Sequence, residues 1–92
     1  MRQFDYQIKD KSGLHARPAG ILVKSARAFA SAVTITLTRD DKTADAKNLF
    51  AVMGLAAKSG DVLRIICEGD DEDAAAQAMT AFCAANFSGD GQ

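Results

Sequence analysis

The run Val33-Thr-Ile-Thr-Leu-Thr38 alternates apolar and polar residues without a break, and every polar position is a threonine. Strict period-two alternation of this kind defines a strand with one face in a core and the other in water. A sheet built around it is covered on one side only. A mostly antiparallel sheet with helices on a single face and the other face in water fits that pattern.

The remaining segments supply the partners of that strand. Residues 2–8, RQFDYQI, put Phe4, Tyr6 and Ile8 on one side of a strand and Asp5 and Gln7 on the other. After KDKSG the period changes, and from Ala16 to about Ala30 the residues Ala19, Leu22, Val23, Ala26 and Ala30 recur at helical intervals. Pro18, the only proline, belongs in the first turn, where no intrahelical donor is lost, so this helix begins near His15 to Arg17. Arg39-Asp-Asp-Lys42 reads as a hairpin tip, Thr43 to Lys47 as a short polar return arm, and Asn48 to Met53 as a helical turn or two. Ser59-Gly60-Asp61 turns into a strand, Val62 to Cys67, whose Leu63, Ile65 and Cys67 share a face, and Gly69 ends it. In the closing helix Asp70, Asp71, Glu72 and Asp73 crowd the first turn, where carboxylates complement the macrodipole, and Ala75, Ala78, Met79, Phe82 and Cys83 follow at helical spacing. Phe87 to Gln92 reads as a frayed tail. The expected order is β-α-β-β-α-β-α in one domain spanning residues 1–92. This is an α+β open-faced β-sandwich, a four-stranded and mostly antiparallel sheet with three helices on one face.

The interior of such a domain is thin. Of 92 residues 48% are apolar, yet 18 are alanine and none is tryptophan, which suits an exposed reactive group or a docking face better than a substrate-enclosing pocket. Eleven basic and twelve acidic side chains leave a net charge of −1, so no global field concentrates the chain on nucleic acid or on an anionic membrane. The N-terminal stretch MRQFDYQIKDKSG has no apolar signal core, and no run is long enough to span a bilayer. The expectation is a soluble cytoplasmic protein with no membrane insertion. Cys67 and Cys83 lie outside any metal-ligand spacing and read as reduced core residues, and Asp70 to Asp73 lack the alternation of a calcium loop. No metal and no cofactor is expected.

Chemistry concentrates at the single histidine, in Gly13-Leu-His-Ala-Arg-Pro18, immediately before the first helix. A helix N-terminus presents unpaired amide donors and a partial positive charge, here those of Ala16 and Arg17, and Arg17 adds a guanidinium. An anion attached to His15 would be cradled by backbone and side chain together, and phosphate is the natural candidate. An imidazole is nucleophilic near neutral pH and can accept a phosphoryl group and release it again. The plainer alternative is that His15 caps the helix and Arg17 is a solvated charge.

Counting from Arg17, the residues Gly20, Ile21, Lys24 and Arg27 lie opposite the buried stripe of Leu22, Val23 and Ala26. An isoleucine among cations, beside the apolar Leu49, Phe50 and Met53, suits docking of an acidic partner surface. Val52 and Leu55, with one of Leu49, Phe50 and Met53, are expected to join the core instead.

The segments GLHARPAGILVKSA, AKNLFAVMGLAAKSGD and CEGDDEDAA together resemble the HPr family, the histidine-containing phosphocarriers of the bacterial phosphotransferase system. The resemblance spans nearly the whole chain in order. It implies that His15 is the phosphoacceptor at Nδ1, with Arg17 as phosphate partner, taking its group from phosphorylated enzyme I and handing it to enzyme II A domains. It implies the same open-faced fold, and it maps the family's docking residues onto Gly20, Lys24, Arg27, Leu49, Phe50 and Met53. One departure stands out: Asn48 occupies the position where many members carry a regulatory serine, so a serine kinase has no hydroxyl there, although asparagine can still cap the short helix.

The expected function is a monomeric phosphocarrier of sugar uptake. It is a carrier with a transient phosphohistidine and no turnover of its own, since no carboxylate pair, metal set or nucleophile-base pair accompanies His15. Two alternatives stay open: the same chemistry routed into a nitrogen-related or dihydroxyacetone-linked regulatory relay, and a non-carrier regulator acting through the Leu49 surface.

Overall fold

A computed structural model describes residues 1–87. Its elements run β1 (Arg2–Gln7), α1 (Ala16–Arg27), β2 (Ala32–Leu37), β3 (Lys42–Asp45), α2 (Leu49–Gly54), β4 (Val62–Glu68) and α3 (Glu72–Phe87). The strands form one sheet in the order β1-β4-β2-β3, and every neighbouring pair is antiparallel. The strand closest to the C-terminus therefore sits between two earlier ones.

The register explains which side of the sheet is covered. Val33, Ile35 and Leu37 of β2 stand opposite Cys67, Ile65 and Leu63 of β4, and all six side chains are buried. Phe4 and Tyr6 pair with Ile65 and Leu63 on the same side and pack against this core. Helices α1 and α3 add Leu22, Val23, Ala26, Met79, Phe82 and Cys83 to it. On the opposite face Asp5, Arg64, Thr36 and Thr43 form one cross-strand row. There Arg64 grips the Asp5 carboxylate through Nε and Nη2 at 2.9 and 3.3 Å, and the Thr36 and Thr43 hydroxyls meet at 3.2 Å. The threonine row marks the wet face.

Three local expectations need correction. Helix α1 stops at Arg27, short of Ala30, because the amides of Ala30 and Ser31 are taken by the carboxylate of Asp71 at 2.9 and 2.8 Å. The Ser31 hydroxyl donates to the same carboxylate. For that reason Asp70 and Asp71 lie before α3, not in its first turn, which holds only Glu72 and Asp73 as acids; the Glu72 side chain reaches back to accept the Gly69 amide at 3.1 Å. Phe87 is no part of a frayed tail. It is the fully buried last residue of α3, edge-on to Phe82 with ring centres 5.3 Å apart, and its carbonyl accepts the Lys9 amide at 2.8 Å. The rest of that tail, residues 88–92, lies outside the described residues.

Cys67 and Cys83 are free and fully buried, and burial pushes the Cys83 thiol up to about 12. They serve as small core hydrophobes. Among the described residues no helix is long and apolar enough to cross a membrane, and no group of His, Cys, Asp and Glu is placed to hold a metal ion.

Candidate functional site

The segment between β1 and α1 is held residue by residue. Ile8 extends the pairing of β1 by donating to Asp61 O at 2.9 Å and accepting from the Gly60 amide at 2.7 Å. Asp10 then closes a tight bend, its carboxylate accepting the Ser12 amide at 2.9 Å and its carbonyl the Gly13 amide at 3.1 Å. Gly13 takes φ +63, and it lies so close to the chain after α2 that a methyl group there would stand 2.7 Å from Ala57 O and 2.9 Å from Lys58 Cα. Glycine is required twice over, for the left-handed backbone and for the close approach. Leu14 is buried and donates its amide to Ala57 O at 3.0 Å.

This anchoring delivers His15 to the N-cap of α1 in extended conformation, φ −100° and ψ −174°. Its carbonyl accepts the Ala19 amide at 3.0 Å, which begins the helical ladder, but its side chain makes no capping hydrogen bond. His15 thus holds the N-cap position without spending its ring on the capping bond. The ring is exposed. Pro18, two residues into the helix, is buried and has no amide hydrogen, so Ala16 and Arg17 carry the free amide donors of the first turn. No acidic residue lies in that turn, and Arg17 is exposed. An accessible nucleophilic nitrogen, two amides and a guanidinium thus share one helix end, an arrangement suited to a small multiply charged anion carried on the ring.

The residues expected to dock a partner lie along α1 and α2. Gly20, Val23, Lys24 and Arg27 of α1 and Leu49 of α2 line an open groove of about 370 Å³, flanked by Ile21 at 43% exposure, Leu49 at 36%, Met53 at 40% and Phe50 at 87%. Leu49, Phe50 and Met53 are therefore all on the surface, where one of them was expected in the core; Val52 and Leu55 are buried. Asn48 caps α2, its Oδ1 accepting the Ala51 amide at 3.1 Å.

Two contributors are invisible to residue counting. Arg27 Nε donates to Lys47 O at 2.9 Å, and Lys47 Nζ donates to Phe29 O at 2.7 Å, so the rim cations also tie the end of α1 to the start of α2. The other is the chain just after α2. There Ala56 adopts φ +53, and Ala57 accepts the Leu14 amide at 3.0 Å, a contact between residues far apart in sequence that no local motif marks.

A small open-faced sandwich that presents one histidine at a helix start, beside a cation-rimmed apolar surface, is the architecture of a phosphoryl carrier. The family model described as "PTS HPr component phosphorylation site" matches residues 2–85. The phosphocarrier protein HPr of Mycoplasma capricolum is 42% identical over 79 residues, 86% of each chain. The HPr-like protein Crh of Bacillus subtilis is 35% identical over 82 residues, 89% of this chain and 94% of that one. A solved Mycoplasma structure, described as the histidine-containing phosphocarrier protein, superposes with a TM-score of 0.89 at 37% identity, covering 98% of this chain and all of that one. The chain belongs to the HPr family of phosphocarriers of the phosphotransferase system.

Proposed function

We propose that this chain carries a phosphoryl group on Nδ1 of His15, taking it from phosphorylated enzyme I and passing it to enzyme II A domains during sugar uptake. In each transfer the phosphorus leaves its bond to the donor as the bond to the acceptor nitrogen forms, and no net oxidation or hydrolysis occurs. The carrying observation is the exposed His15 ring, free of any capping bond, at a helix end whose Ala16 and Arg17 amides are open. Those amides and the Arg17 guanidinium take the developing charge on the phosphoryl oxygens. Gly20, Ile21, Lys24, Arg27, Leu49, Phe50 and Met53 form the docking surface used in turn by donor and acceptor.

A second reading, a regulatory relay, is favoured by the likeness to an HPr-like Crh protein. Asn48 bears on it, because the residue that caps α2 has no hydroxyl for a serine kinase.

Incubation with phosphoenolpyruvate and enzyme I, followed by mass spectrometry, tests the proposal. Wild-type protein gains one acid-labile phosphoryl group on His15, and His15→Ala gains none while unfolding at an unchanged temperature. Uptake by His15→Ala would place the acceptor elsewhere.

A further inference from the structure

The end of the sheet nearest His15 holds a charged pair that the carrier chemistry does not use. Arg39, in the tip joining β2 to β3, donates from Nε and Nη2 to the two carboxylate oxygens of Asp61 at 3.0 and 3.2 Å. The Asp61 side chain is only 13% exposed, against 48% for Arg39. One of its oxygens also accepts the Lys58 amide at 2.8 Å. The Asp61 amide donates to Lys58 O at 2.9 Å, closing a tight turn, and its carbonyl accepts the Ile8 amide at 2.9 Å.

One residue before that turn stands Ala57, whose carbonyl holds the Leu14 amide and touches Gly13. A continuous path of short contacts therefore runs from Arg39 through Asp61, Lys58 and Ala57 to Leu14, the residue next to His15.

We propose that Asp61, held by Arg39, is a positioning residue for phosphoryl transfer, fixing the 58–61 turn so that Ala57 sets the backbone of Leu14 and His15. This rests on the carrier reading of His15. Isolated surface ion pairs add little to stability, but this carboxylate is largely covered, accepts a two-pronged guanidinium and restrains a main-chain amide, so its effect falls on geometry. The Arg39 side chain and the Lys58 amide hold the Asp61 carboxyl below its ordinary range, consistent with a group kept charged by its setting.

The test compares wild type, Asp61→Ala and Arg39→Lys at a temperature where all are folded. Asp61→Ala should speed hydrogen exchange at the Leu14 amide about tenfold, as expected for loss of a charge-assisted contact. It should also lower kcat for phosphorylation by enzyme I by about tenfold, with KM changed less than twofold because the docking residues stay in place. Arg39→Lys, which keeps the charge without the fork, should recover part of both effects. A lower melting temperature with Leu14 exchange and kcat unchanged would overturn the inference and leave Asp61 a stabilising residue only. If enzyme I fails to phosphorylate the wild type at His15, the carrier reading fails and the role in transfer with it, while Leu14 exchange still shows whether Asp61 holds the loop.

Discussion

Replacing Gly13 by alanine tests how the loop that carries His15 is held. At φ +63 an L-residue loses about 1–2 kcal/mol relative to glycine. The new methyl group would also lie 2.7 Å from Ala57 O and 2.9 Å from Lys58 Cα, both backbone atoms that no rotamer change can move. Relieving such an overlap costs about 1–3 kcal/mol, and if the two segments separate, the Leu14 to Ala57 hydrogen bond goes too, at about 1 kcal/mol. Together these put the loss at about 2–6 kcal/mol. For a chain of this size that lowers the melting temperature by roughly 8–50 °C. Urea and thermal unfolding followed by circular dichroism measure it. A Gly13→Ala variant that melts within about 2 °C of wild type would show that the loop has slack at this position, and the account of how His15 is held would be wrong.

Gly20 offers the opposite case, since a methyl group there meets nothing within 4 Å. Gly20→Ala should add about 0.5–1 kcal/mol of helix stability while slowing transfer by filling the docking groove, so a gain in melting temperature with unchanged transfer would remove Gly20 from the interface. Phe50→Glu should leave the melting temperature within about 2 °C, since an exposed apolar group contributes little to the monomer, and should raise the KM for enzyme I more than tenfold; a large stability loss would place Phe50 in the core. Asp71 is held below the ordinary carboxylate range, chiefly by the Ser31 hydroxyl and then by the Ala30 amide. Its stabilisation is thus complete above the unfolded pKa of about 4 and is lost as pH falls through the lower folded value. The gap in urea midpoint between wild type and Asp71→Asn should be constant near neutrality and close in acid, and a gap independent of pH would mean that the charge contributes nothing.

What the sequence discloses are the features set by near neighbours. Alternation at 33–38 marks β2, Pro18 marks the start of α1, and Asn48 caps α2 where a hydrogen-bonding side chain was needed. The motif around His15 is local as well, and so legible. Other features are decided by residues far apart in the chain. The end of α1 depends on Asp71, whose carboxylate outcompetes helical acceptors for the amides of Ala30 and Ser31. Exposure of all of Leu49, Phe50 and Met53 follows from how little space Val52 and Leu55 leave to fill. Phe87 looks like the start of a polar tail until the space beside Phe82 is seen to take its ring. Nothing local to Ala57 hints that it holds the Leu14 amide, because that contact joins segments far apart in the chain.

The strand order carries a consequence for synthesis. Central strand β4 is the last strand among the described residues, pairing with β1 from Arg2↔Cys67 to Gln7↔Val62 and with β2 from Ala32↔Glu68 to Leu37↔Leu63. A nascent chain can close only the β2–β3 hairpin early, while the first strand waits without a neighbour until residues 62–68 have emerged. Pairings of such long sequence separation form late and slow the search for the native state. The turn that meets the His15 loop leads directly into β4, so a chain stalled or cut before that strand has the GLHARP motif and residues 57–61 but no paired strand to hold them against each other. Carrier competence should therefore arrive only once residues 62–68 have emerged, and phosphorylated fragments lacking β4 should not accumulate.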